Sequence, residues 1–241
     1  MKTKSRLFAP HRALLALMLL ALPAINAHAA ESSLDGVWKL SPAQSELQPV
    51  DGKKLPFTDG GRAQYEKNLA AAARKDYSFD ATTTRCSSPG LPRLMLTPKL
   101  IRIYQRPQIV TMLFEWNRLF RQIEMRPGKR EKLDTATMNG QSFGRWEGAT
   151  LVVESYDLSE RKLLDGLIPN SEKLELVERI RLRDSATLED RITIKDPEIF
   201  SRSWDAVLTY KRQSDALFPF LEDVCLDNRA GVPPPLGPSS P

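Results

Sequence analysis

LELVERIRLRDSATLEDRITIKD, residues 174–196, is where the fold of this chain can be read most directly. Apolar and polar residues alternate through it, which is the period of a half-buried strand and not of a helix. Leu174, Leu176, Glu178, Ile180 and Leu182 fall on one face. A turn of three residues, Asp184 to Ala186, is expected to pair Leu182 with Leu188, Ile180 with Asp190 and Glu178 with Ile192. The hairpin then carries two carboxylates, Glu178 and Asp190, as diagonal neighbours on an aliphatic face, with Cα atoms about 6–8 Å apart. Asp196 lies on the same face at the strand end.

The alternation continues through LIRIYQ, IVTMLFEW, LFRQIEM, SFGRWEG, TLVVESY and WDAVLTYK, and LDGVWKL adds a short first strand. From Leu100 onward no helix-length insert separates the runs, so parallel pairing is not expected. The expected fold is mostly β: an antiparallel meander closing into a barrel or a strongly curled sheet, which also removes exposed edges. One N-terminal helix is expected over 62–75, with Tyr65, Leu69, Ala72 and Ala73 as its apolar stripe. Residues 30–228 read as a single barrel-like domain, and 229–241, ending GVPPPLGPSSP, as a disordered proline-rich tail.

Two further hairpins fix side-chain directions. With a turn at Gly148-Ala149, Trp146, Leu151 and Val153 share one face, while Arg145, Glu147 and Glu154 form surface ion pairs on the other. With a turn at Asn117-Arg118, Met112, Phe114 and Trp116 share a face with Leu119, Arg121 and Ile123. Arg121 is thus the one basic group expected to point inward. An unpaired carboxylate in an apolar interior costs several kcal/mol or retains its proton, so Glu178 and Asp190 need a counter-charge or a wet cavity. Two readings remain open: a buried Arg–carboxylate network that fixes strand register, and the polar floor of an apolar pocket.

Residues 1–29 have the pattern of a secretory leader: Lys2, Lys4, Arg6 and Arg12, an apolar run from Ala13 to Ile25, and Ala27-His28-Ala29 before the cut. The run is too short for a bilayer span and Pro23 interrupts it, so no integral membrane segment is expected after removal. Removal takes four of the 35 Lys/Arg and none of the 30 Asp/Glu, leaving about +1. A near-neutral chain has no long-range field for nucleic acid. Both histidines, His11 and His28, leave with the leader. Ser-His-Asp and Cys-His catalysis and imidazole-bound metals are therefore excluded, and neither a metal nor a cofactor is expected. Cys86 and Cys225, an even pair in an exported chain, are expected to form a disulfide.

RCSSPGLPR, VTMLFEW, GQSFGRWEGATLVVES, LELVER and ITIKDP, in this order, resemble a family of predicted exported proteins of environmental Gram-negative bacteria, over about Tyr65 to Cys225. The family has no established activity, so the resemblance implies the disulfide and the sheet but no reaction. Its members often carry histidine at positions corresponding to Gln141, Asn170 and Glu175, where this chain departs. Separately, Gly36-Val37-Trp38 is similar to the G-x-W start of lipocalin-like barrels, in which the tryptophan closes one end.

Three functions fit these residues. One is a periplasmic or secreted barrel that binds a small, largely apolar molecule, with Phe114, Trp116 and Trp146 as walls and Arg121 fixing a polar end. Another is a histidine-free isomerase, dehydratase or hydrolase in which Glu178 and Asp190 share acid and base roles beside Arg121. The last is an envelope interaction protein using its outer surface.

Overall fold

The computed structural model describes residues 33–126, 131, 133–215 and 223–226; the expected leader and the proline-rich tail lie outside the described residues. Nine strands follow one another: β1 (Gly36–Leu40), β2 (Leu100–Arg106), β3 (Ile109–Phe114), β4 (Phe120–Glu124), β5 (Gln141–Glu147), β6 (Thr150–Tyr156), β7 (Glu175–Asp184), β8 (Thr187–Lys195) and β9 (Trp204–Gln213). They close into one barrel in chain order, with β1 pairing both β2 and β9. The mostly β, closed meander expected from the sequence is borne out. Among the described residues no helix is long and apolar enough to cross a membrane.

One interface departs from the antiparallel expectation, and topology requires it. Around a closed ring, strand direction must return to its starting sense, so antiparallel interfaces must be even in number. Nine strands therefore need at least one parallel neighbour. It falls between β4 and β5, where residues 125–140 carry the chain back to the starting end. Only Glu124 and Phe143 are paired there, against seven pairs between β5 and β6. The barrel thus has one weakly zipped seam.

The hairpin registers follow side-chain parity. Across Gly148-Ala149, Glu147 faces Thr150, Trp146 faces Leu151, Arg145 faces Val152 and Gly144 faces Val153. Asn117 and Arg118 both take φ near +51°, and Met112 faces Arg121 across that turn. Between β7 and β8, Leu182 faces Leu188, Ile180 faces Asp190 and Glu178 faces Ile192, but the turn is tighter than expected. A register shift between Leu182 and Asp184 lets Asp184 face Thr187, and the Ala186 N–H donates to the Asp184 side chain at 2.8 Å. That side chain and the bulge complete the reversal with two residues.

The helix is also shifted. α1 spans Asp59–Ala73, because Thr58 caps it by accepting from the Gly61 N–H at 3.0 Å. Its inward side is Gly61, Tyr65 and Asn68, while Leu69 is 46% exposed. Gly61 sets this rotation: a Cβ there would lie 2.3 Å from the Ile199 carbonyl oxygen. Asn68 then donates to the Leu167 carbonyl at 2.9 Å, a polar contact that hydrophobic spacing does not reveal.

Trp38, on β1, is fully buried in the main core. Its indole N–H donates to the Leu34 carbonyl at 3.0 Å, and the Arg212 guanidinium stacks 4.1 Å over its ring. Gly36 makes room, since a Cβ there would meet Arg212 at 2.2 Å. Arg212→Ala is expected to cost about 1–2 kcal/mol, the worth of a half-buried cation–π pair plus its hydrogen bonds. Urea denaturation measures it, and an unchanged midpoint would show that the arginine merely lies on a ring already sealed.

Candidate functional site

Arg121 on β4, Glu178 on β7 and Asp190 on β8 meet inside the barrel, each at most 2% exposed. Arg121 grips Glu178 with both terminal nitrogens; the Nη1 contact to Oε1 is 2.8 Å, and Nη2 donates to Oε2. The same guanidinium donates to Ser142 Oγ at 3.2 Å and Ser155 Oγ at 3.1 Å, and the two hydroxyls are 2.8 Å apart. A short 3-10 turn, Arg93–Leu96, touches the group through Met95. Its Met95 sulfur lies 3.8 Å from Arg121 Nη1, and the Met95 carbonyl accepts from the Tyr210 hydroxyl at 2.7 Å. The donors of Arg121 are thereby committed to groups of its own chain.

Asp190 is the unbalanced member. Neither of its oxygens has a hydrogen-bond partner among the described residues. Burial, then the charge of Glu178, raises Asp190 well above the usual carboxylate range, with Arg121 opposing. Burial likewise raises Tyr210, aided by Asp190 and Glu178. Burial opposes the charge on Arg121, but Glu178 more than offsets it and holds the guanidinium above its ordinary value.

A pH prediction follows from the direction of the Asp190 shift. A carboxyl whose folded pKa is raised contributes stability that is complete below its unfolded value, about 3.9, and lost as pH rises through the folded value. Asp190→Asn removes that loss. The variant is expected to gain on the parent as pH rises from about 4 to 8. Urea midpoints across that range decide it; a constant gap would mean that Asp190 ionises freely in the folded protein.

The weak seam opens into a cleft of about 690 Å³ between β4 and β5. Ile109, Leu119, Phe120, Met138 and Phe143 give it apolar walls, and Asn139, Gln141, Arg121 and Ser142 contribute polar groups. Phe120 is 58% exposed, an aromatic on the outward side of its strand. Phe143 stacks on Tyr156 with ring centroids 5.5 Å apart, which stiffens the opposite wall. Asn139 donates to the Phe120 carbonyl at 3.4 Å, and its own buried Oδ1 has no partner. The cleft therefore presents apolar surface, with the unpaired Asn139 Oδ1 buried in its wall.

The aromatic walls expected from the sequence lie elsewhere. Phe114 is buried in the main core, and Trp146 packs against it half-buried. Trp116 is buried with Cys86 and Cys225, which form the expected disulfide. Of the four residues expected to bind a ligand, the cleft's lining includes Arg121 but none of these three. Their bulk fills space inside the barrel, or beneath the disulfide, on the faces that parity assigns. Phe120, Phe143, Met138 and Asn139 are not reached by sequence reasoning. A phenylalanine on the polar side of LFRQI is the available signal. The expected surface pairs are present: Arg145 reaches Glu154 at 2.7 Å and Glu147 at 2.9 Å. Asp196 is buried at the end of β8 but takes part in a different group, accepting from the Ser171 N–H and Oγ at 2.7 Å each.

No protein-family model matches the chain, and no curated protein matches it. Among solved structures the chain is similar to the crystal structure of a mutant of the fluorescent protein UnaG, at 15% identity and a TM-score of 0.33, covering 75% of this chain and 96% of that one.

Proposed function

We propose that the protein is an exported binding protein that holds a small, largely apolar molecule in the seam cleft, with a hydroxyl or N–H of the ligand donating to Asn139. The observation that carries this reading is the conjunction at one place of an under-paired barrel seam, exposed Phe120 and the partnerless Asn139 Oδ1. An orphaned buried acceptor is worth satisfying, and an apolar wall rewards a ligand that covers it. Arg121, already saturated by Glu178 and the serines, stiffens the floor and does not bind a ligand anion. The leader pattern and the disulfide support export. The motif resemblance to an exported Gram-negative family belongs to the same reading.

N-phenyl-1-naphthylamine, an apolar fluorophore with a single N–H, is a suitable probe. Its fluorescence is expected to rise saturably at one site per chain. Phe120→Asp, on an exposed side chain, is expected to weaken binding about tenfold or more, which corresponds to about 1.4 kcal/mol. Equal affinity in the two proteins, or no saturable binding, would overturn the assignment.

A further inference from the structure

The turn into β4 carries an arginine where the backbone favours glycine. Residues Trp116 to Leu119 close it, the Leu119 N–H donating to the Trp116 carbonyl at 3.3 Å, and both central residues, Asn117 and Arg118, have φ of +51°. Two successive left-handed residues are the mark of a primed hairpin turn, for which Asn-Gly is a favoured pair. Asn117 suits it. Its N–H donates to the Asp223 carbonyl at 2.8 Å, and its Oδ1 accepts from the Cys225 N–H at 3.4 Å. Arg118 does not, because its Cβ crowds the backbone in a conformation that glycine adopts without steric cost. A side chain kept against its backbone preference points to a use for that side chain.

Arg118 is exposed and lines the seam cleft together with Leu119 and Phe120. Glu124, at the other end of β4, lines it too, about 13 Å from Phe120 along the strand. Its carboxylate is forked by Arg126, which donates from Nε at 2.9 Å and from Nη2 at 2.7 Å. Those hydrogen bonds hold the Glu124 pKa down at about 2, so it stays ionised and paired. The buried guanidinium of Arg121 is balanced in the same way by Glu178. The cleft is therefore apolar along its length, with a cation at the Arg118 end and a compensated ion pair at the other. An ammonium ligand would be repelled by that cation, and a neutral one would gain nothing from its charge. We propose that the occupant of the cleft is an aromatic acid, its ring against Phe120 and Phe143 and its anionic group at Arg118. This inference rests on the reading of the cleft as a ligand site and adds the ligand's charge to it.

The test compares N-phenyl-1-naphthylamine with 8-anilinonaphthalene-1-sulfonate, which share an anilinonaphthalene body and differ by a sulfonate. Fluorescence titration of the full chain at low salt is expected to give the sulfonate a Kd about tenfold or more below that of the neutral probe, as one charge-assisted contact supplies. Raising the ionic strength from about 0.01 M to about 1 M cuts the Debye length from about 30 Å to about 3 Å and should bring the two Kd values together. Arg118→Gly should also abolish the preference. The same variant should have a higher urea midpoint, because relief of the left-handed backbone outweighs glycine's extra freedom in the unfolded chain. Lost preference with gained stability separates a binding arginine from a structural one. Equal Kd values in the parent, a preference that survives in Arg118→Gly, or a lower midpoint for that variant would overturn the proposal. If the neutral probe still saturates, the cleft remains a ligand site for uncharged molecules; if neither probe saturates, the reading of the cleft falls as well. The salt titration uses the parent protein, so it decides even if a variant fails to fold.

Discussion

Arg121→Met is expected to be about 3–5 kcal/mol less stable than the parent at neutral pH, because it removes the one cation from a buried group and leaves the carboxylates behind. The arginine holds both oxygens of Glu178 and ties Ser142 to Ser155. Without it, Glu178 stands beside Asp190 in a site where both are at most 1% exposed. One way for the variant to fold is to protonate both, so its carboxyls have raised pKa values when folded. Such groups favour the folded state below the unfolded value and lose that advantage as pH rises, so the deficit should shrink on acidification. Urea denaturation at pH 7 and 4.5 reads both effects. Arg121→Met combined with Glu178→Met should recover most of the loss, since replacing a buried ion pair by apolar bulk is often neutral. A single variant as stable as the parent would show that water already reaches the carboxylates.

Replacing Cys86 and Cys225 together by serine is expected to cost about 4–5 kcal/mol, because the crosslink spans 139 residues and restrains a long loop in the unfolded chain. The native side also suffers. Trp116 and Leu119 pack on the disulfide, Trp116 bridges Asp223, and the Asn117 N–H donates to the Asp223 carbonyl at 2.8 Å. The bond thus pins residues 223–226 onto the turn that leads into β4, one strand of the seam. Urea midpoints of parent and variant measure the effect. A loss below about 1 kcal/mol would mean that the segment is held by its non-covalent contacts and that the crosslink restrains little.

What is legible in the sequence divides along physical lines. Strand parity has a period of two, so a single turn assignment fixes every inward residue of a hairpin; hence Arg121, Glu178 and Asp190 can be placed together without knowing the fold. The odd strand count already requires a parallel interface, but three long connections, 41–99, 125–140 and 157–174, are candidates and length alone cannot choose among them. Parity also says which face an aromatic is on and nothing about whether that face leaves space, so Phe114 and Trp116 cannot be told from pocket walls. The helix face escapes because it is set by a backbone approach at Gly61 and an amide at Asn68, neither of which carries a hydrophobic signal.

The most direct measurement is a ¹H–¹⁵N correlation spectrum of the protein titrated with N-phenyl-1-naphthylamine. Binding at the seam predicts saturable shifts concentrated in residues 119–124 and 137–143, including the Asn139 side-chain amide, with β7 to β9 little changed. Shifts centred on β7 to β9, or spread evenly over the barrel, would contradict it.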